Sequence, residues 1–335
     1  MASKIVFNVI SALPSLMFLF LNNDSSLIDE SLSVLYVDHG AGISDSVLST
    51  YFANCAVVLN SGSGIQGVSF WYPNQNLNSN GPPTVYPAAI TTAEDVRGCL
   101  IKGVNLGNAY LGIDARRDNG GIIVDKIAGF PLYKGIIHGS AINPIQLSNV
   151  TFTARRVLRG DPWISPNIAA WVMENGVAME IGRSTWATYE RFFAFGYAVG
   201  IDMINAPSSP SDGINIGGSA QNCNFVDCGF DTCPVGMRGN GFQGRINIDK
   251  CNFTSTVQYS IVPTDMYAIY ITSDVAATVR NINITNCNFW DSERDVIRLI
   301  RCHGSKITHC DFQDVGTTQN STAIIIDNSF RTVIS

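Results

Sequence analysis

Four carboxylates and a group of aromatic side chains near the middle of the chain are of types that carbohydrate chemistry uses. Glu174, Glu180, Glu190 and Asp202 fall within one or two repeats of the pattern described below. Two such groups facing across a groove could serve as acid and as nucleophile or base in glycosidic cleavage, if they stand roughly 5–10 Å apart. Arg183 lies among them, and Trp163, Trp171, Trp186 and Tyr189 could offer flat apolar faces to sugar rings. The competing reading leaves the three glutamates facing solvent and the tryptophans packing loops. A second cluster joins Asp114, Arg116 and Asp118. It could bind an acidic sugar through Arg116 or hold calcium through carboxylate oxygens. Gly120 and Gly121 beside it suit the closing of a surface turn, which is the preferred reading of this segment.

Other chemistries find little support. His39, His138, His303 and His309 form no ligand-spaced pairs, and zinc at His303 and His309 with Cys302 and Cys310 would need a spacing unlike known sites. There is no glycine-rich loop before a Lys-Ser/Thr pair and no G-x-S-x-G turn. No metal site or cofactor is expected, with calcium as the single option left open.

The elements that must position these residues are announced by composition. The chain has 335 residues, 46% of them hydrophobic and only 14% charged, enough for a large core. It contains 29 Asn, 30 Gly and 17 Phe. That mixture suits many tight turns between short strands, because Asn and Gly tolerate left-handed backbone. The net charge is −6 and no lysine or arginine cluster interrupts it, so a nucleic-acid partner is not expected. Nine cysteines are an odd number in a chain too large to need staples, and they read as packed free thiols. The apolar stretch Ile5–Leu21 reads either as a segment capping the end of the fold or as a weak signal peptide within residues 1–21.

One template recurs: apolar, any, apolar, any, any, apolar, any, apolar. Ile246-x-Ile248-x-x-Cys251-x-Phe253 and Ile282-x-Ile284-x-x-Cys287-x-Phe289 are the clearest copies. Copies also begin at Ser63, Cys99 and Ile145, with weaker ones near Ile122, Ala187, Ala220 and Ile307. Strands alternate faces with period two, so each apolar pair points inward. Two intervening residues shift the parity, as a sharp bend between strands would. Aligning the third apolar position gives residues 68, 104, 127, 150, 192, 223, 251, 287 and 310. A recurring gap of 23 residues is one turn of a three-sheet coil, and the 42-residue gap is wide enough to hide another turn through Gly176–Ile181. The prediction is an all-β right-handed parallel β-helix, with residues 1–54 as N-terminal cap and first strands and residues 55–335 as the β-helix domain. A β-sandwich would also use short strands, but it supplies no reason for bends at a fixed phase.

On this pattern the chain resembles the pectate-lyase-like superfamily of right-handed parallel β-helices, over roughly residues 55–330. The resemblance is carried by VRNINITNCNFWDS at Val279–Ser292, INIGGSAQNCNFVDCGF at Ile214–Phe230, SGSGIQGVSFWYPNQ at Ser61–Gln75 and FFAFGYAVGIDM at Phe192–Met203. The superfamily includes polysaccharide lyases, glycoside hydrolases, epimerases, phage tailspikes and adhesins. The clustered Asp and catalytic Arg of pectate lyases do not align here, and the paired Asp and Arg-x-Lys of polygalacturonases are absent. The resemblance implies a polysaccharide or glycan partner, an extracellular or virion- or cell-surface location, and compatibility with a homo-oligomer. Glycoside hydrolysis in a groove along the coil is the first expectation. A non-catalytic glycan-binding or adhesin-like protein and a polysaccharide lyase are the alternatives.

Overall fold

The computed structural model describes residues 33–78, 81–117, 120–139, 145–153, 165–204, 220–241, 244–257, 266–273, 279–316 and 321–335. The chain folds as a right-handed parallel β-helix. Its strand pairings are parallel from Ser33–Tyr36 on Gly64–Trp71 at one end to Lys306–Thr308 on Val333–Ile334 at the other.

Two ladders carry the stack. One is a bent sheet running through Gly64–Trp71, Leu100–Asn105, Ile123–Gly129, Gln146–Phe152 and Thr188–Phe195. Beyond Thr188–Phe195 it forks. Its first arm continues as Cys223–Val226, Ile246–Asp249, Ile282–Thr285 and Lys306–Thr308. Its second arm continues as Gly229–Asp231, Asn252–Thr254, Asn288–Ser292 and Asp311–Val315. The other ladder, the second sheet, runs from Val57–Leu59 through Ala88–Thr92, Leu111–Ala115, Lys134–His138, Val177–Ile181, Val199–Met203, Val235–Asn240, Tyr267–Thr272 and Ile297–Ile300 to Ile324–Asp327. Two arms and one sheet make three walls around a single core.

The parity jump in the sequence has one structural cause. A residue with positive φ sits at each bend, immediately before the third apolar position: Gly67, Gly103, Lys126, Asn149, Arg191, Asp227, Lys250, Asn286 and His309. A left-handed residue turns the chain between the arms and lets the next pair face inward again. It costs non-glycine residues about 1–2 kcal/mol, and side-chain bonds between coils offset part of that. Asp125 Oδ1 accepts from Ser148 Oγ at 2.9 Å and Asn149 Nδ2 at 2.7 Å. The same device returns at Asp249, whose Oδ1 accepts from Thr285 Oγ1 at 2.8 Å and Asn286 Nδ2 at 2.9 Å.

Two details of the alignment are corrected. The bend after Arg191 is at Asp227, so the third apolar position of that coil is Cys228, and Cys223 belongs to the first arm in register with Ile246. The full copy is Cys223-x-Phe225-x-x-Cys228-x-Phe230. The 42-residue gap hides no extra turn. It is one coil that carries the helix Pro166–Asn175 before its strand Val177–Ile181. Ser165 caps that helix by accepting from the Ile168 backbone, and Pro166 opens it.

Inside, Phe230, Phe253, Phe289 and Phe312 stack at 5.1, 5.1 and 5.0 Å between ring centroids. The thiols of Cys228, Cys251 and Cys287 are buried two residues before them, and all nine cysteines are free. At the N-terminal end the helix Leu48–Ala53 lies on the outside of the second sheet, where Tyr51 and Phe52 pack on Ala88, Leu111 and Ile137.

Candidate functional site

The outer face of the second sheet brings the polar residues together. Backbone register sets Ile137, Glu180, Asp202, Arg238, Tyr270 and Arg298 in one column, one residue per coil. They point outward because their neighbours Met179, Ile201, Met237, Ile269 and Ile297 fill the core. Adjacent rungs of a sheet are about 4.8 Å apart, so Glu180 and Asp202 are immediate neighbours. Each carries a cation: Lys134 Nζ lies 2.7 Å from Glu180 Oε2, and Arg238 Nη2 lies 2.6 Å from Asp202 Oδ2. The pairs are half-sheltered, with Asp202 only 7% exposed. Further along the column, the Tyr267 and Tyr270 rings stack at 4.9 Å. Arg298 Nη1 donates to the Tyr267 hydroxyl at 2.9 Å and lies against both rings.

On the other side of Lys134 is an aromatic group. Its ammonium lies 5.5 Å from the centre of the Tyr133 ring, which stacks with Tyr110 at 5.2 Å. Trp171, from the helix Pro166–Asn175, packs against both tyrosines at 6.1 and 6.4 Å. The column is therefore a strip: aromatic at each end, with two ion pairs between.

The remaining candidates fall elsewhere. Glu174 is exposed near the end of the helix. Glu190 lies on the bent sheet, paired with Arg191, whose Nε donates to Asn149 at 2.7 Å. Arg183 is half-buried in the turn after Val177–Ile181, and Trp186 is 66% exposed at a left-handed position. Tyr189 is corrected: it is fully buried in the core, stacked on Phe225 at 4.8 Å, and has no face to offer a ligand. Arg116 is corrected as well. It is clamped on Asp114, with Nη2 at 2.7 Å from Oδ2, and lies over the Tyr51 ring. Asp114 also accepts from the Tyr51 hydroxyl at 2.7 Å and is completely buried, so Asp114 and Arg116 fasten the helix Leu48–Ala53 to the sheet and Asp114 is not open to calcium, while Asp118 lies outside the described residues. Trp163 lies outside the described residues. Among the described residues, no three His, Cys, Asp or Glu side chains are arranged to hold a metal ion.

Lys134, Arg238, Tyr267, Tyr270 and Arg298 went unnoticed in the sequence. The signal that could have found them is the inward spacing Ile269-x-Ile271, which places Tyr270 outward as surely as the template places its own residues.

No protein-family model matches the chain, and no curated protein matches it. Nine solved chains do match in structure. One is the surface adhesin PfbA of Streptococcus pneumoniae, at 10% identity and a TM-score of 0.45, with 89% of this chain and 77% of that chain covered. Another is a family 28 exopolygalacturonase of Yersinia enterocolitica, at 10% identity and 0.35, covering 90% and 71%. A third is the catalytic domain of a GH87 alpha-1,3-glucanase in complex with tetrasaccharides, at 13% identity and 0.35, covering 83% and 52%. At these identities the likeness is one of coil architecture.

Proposed function

Because the chain has the coil architecture of the pectate-lyase-like superfamily, a fold that fixes no single activity, we propose that it binds a polysaccharide along the outer face of its second sheet. The observation that carries this reading is the unbroken outward column Glu180, Asp202, Arg238, Tyr270 and Arg298, one residue per coil. A ligand built of repeating units can meet such a column unit by unit. The half-exposed rings of Tyr267 and Tyr270 give apolar faces for sugar rings, and the ion-paired groups present donors and acceptors already held in place. The protein then works on glycans outside the cell or on a virion or cell surface.

Titration calorimetry against a panel of polysaccharides tests it. Tyr270→Ala should weaken binding about five- to tenfold with the fold intact, since the ring is half-exposed and outside the core. Unchanged affinity in that variant would remove the strip as the binding face.

The adjacency of Glu180 and Asp202 favours a second reading, hydrolysis with these two as the catalytic pair. New reducing ends that vanish in both Glu180→Gln and Asp202→Asn would establish it. Unsaturated products would instead indicate a lyase. Binding with neither product leaves the non-catalytic reading standing.

A further inference from the structure

We propose a second binding site, on a different wall of the coil, for a carboxylate or sulfate group carried on a hydroxyl-rich chain. An open groove of about 480 Å³ lies on the outer face of the first arm. Its floor is a column of amides: Asn224, Asn247 and Asn283 are in register on successive coils, and Lys306 takes the next rung. Asn247 Nδ2 donates to Asn224 Oδ1 at 2.7 Å, and the Asn283 and Asn247 amides touch at 2.8 Å. A primary amide has two N–H donors and two carbonyl lone pairs. The column uses some of these between rungs and leaves others for the hydroxyls of a ligand.

Charge selects the ligand. Arg245 and Lys306 stand at the edges of the groove, both exposed, and neither forms an ion pair with a carboxylate among the described residues. The Arg245 guanidinium is anchored through its Nε on Asn247 Oδ1 at 3.0 Å. The one carboxylate in the wall, Asp249, is already engaged by Asn286 and Thr285, whose hydrogen bonds hold it below the usual carboxylate range. Two unneutralised cations against one satisfied carboxylate make the groove locally positive on a chain of net charge −6. Two rung steps of about 4.8 Å separate the coil of Asn247 from that of Lys306, so one anionic group and its neighbouring hydroxyls reach both cations. None of these residues belongs to the strip on the second sheet.

The test is calorimetry on the intact protein with dextran sulfate, alginate and neutral dextran as probes. At least one anionic polymer should bind more tightly than dextran, and the stronger of the two decides between sulfate and carboxylate. The double variant Arg245→Gln/Lys306→Gln should lose about tenfold or more of that affinity, while Tyr270→Ala should retain it. Both substituted side chains are exposed, and an unchanged circular dichroism spectrum checks that the coil persists. Lys306→Glu should weaken the anionic polymer further and leave dextran unaffected. The proposal is overturned if dextran binds as well as the charged polymers, if neither charged polymer binds, or if the double variant binds like the wild type.

Discussion

His138 points into the coil beside Tyr189, its Nδ1 3.5 Å from the tyrosine hydroxyl and its Nε2 buried without a hydrogen-bond partner. Burial lowers its pKa to about 4. The folded chain therefore keeps this imidazole neutral at a pH where the unfolded chain, with an ordinary value near 6.5, has already taken up a proton. Stability on this account is complete above about pH 6.5, falls with decreasing pH, and levels off near pH 4. The full loss is about 3 kcal/mol. Urea midpoints measured from pH 7 to 4 should show that decline, and His138→Phe should remove its part of the slope. An equal slope in the variant would show that other groups carry it. The same burial explains why residue type misled at Tyr189. A tyrosine near three glutamates looks like a ligand platform until the strand parity is followed, and that parity turns its ring inward toward Phe225. Arg116 misled for the opposite reason: its partner Asp114 is two residues away, but the Tyr51 hydroxyl that seals the pair arrives from 63 residues upstream, a contact no local pattern contains.

At the scale of strands and bends, the bent sheet was legible and the second sheet was not. The two arms are joined by a single left-handed residue, so their inward pairs keep a fixed offset that can be read along the chain. The coil at Cys223 was misread because two cysteines five residues apart, Cys223 and Cys228, each precede a phenylalanine by two. The second sheet is joined to the arms by segments of varying length, and its outward column mixes Ile, Glu, Asp, Arg and Tyr, so no template marks it. Its inward side obeys a steric rule instead. A methyl group placed on Gly200 would come within 2.3 Å of the Phe230 ring, and one on Gly236 within 2.6 Å of the Phe253 ring. The stacked phenylalanines thus occupy the space of side chains missing from the facing wall. Gly236→Ala should cost about 1–3 kcal/mol, read as a lower denaturation midpoint. Combining it with Phe253→Leu should cost less than the two changes summed, because the smaller side chain vacates part of the contested volume. Strict additivity would mean that the clash with the Ala268 carbonyl, also at 2.6 Å, decides the outcome alone.

Across the whole molecule, each coil touches chiefly its two neighbours, so stability is close to a sum of coil and interface contributions. That makes coils removable in units the sequence defines. Asn286 and His309 are equivalent left-handed bend residues, each followed by an inward cysteine and, two residues later, an inward phenylalanine. Deleting residues 287–309 joins Asn286 directly to Cys310 and restores the template without a break. The rungs on either side become new neighbours, with Ile248 still beneath Ile284 and Phe312 taking the place of Phe289 above Phe253. The shortened chain should keep its β-sheet circular dichroism and unfold cooperatively, at a somewhat lower temperature because one interface is lost. Deleting one residue fewer, 287–308, leaves His309 after Asn286 and pushes Cys310 and Phe312 toward the outer face, where a one-residue slip reverses every side chain. That chain should lose order in its last coils, seen as extra proteolysis confined to its C-terminal part. If both deletions behaved alike, parity at the bends would not be what holds successive coils in register, and the outward columns on both proposed binding walls would lose their common basis.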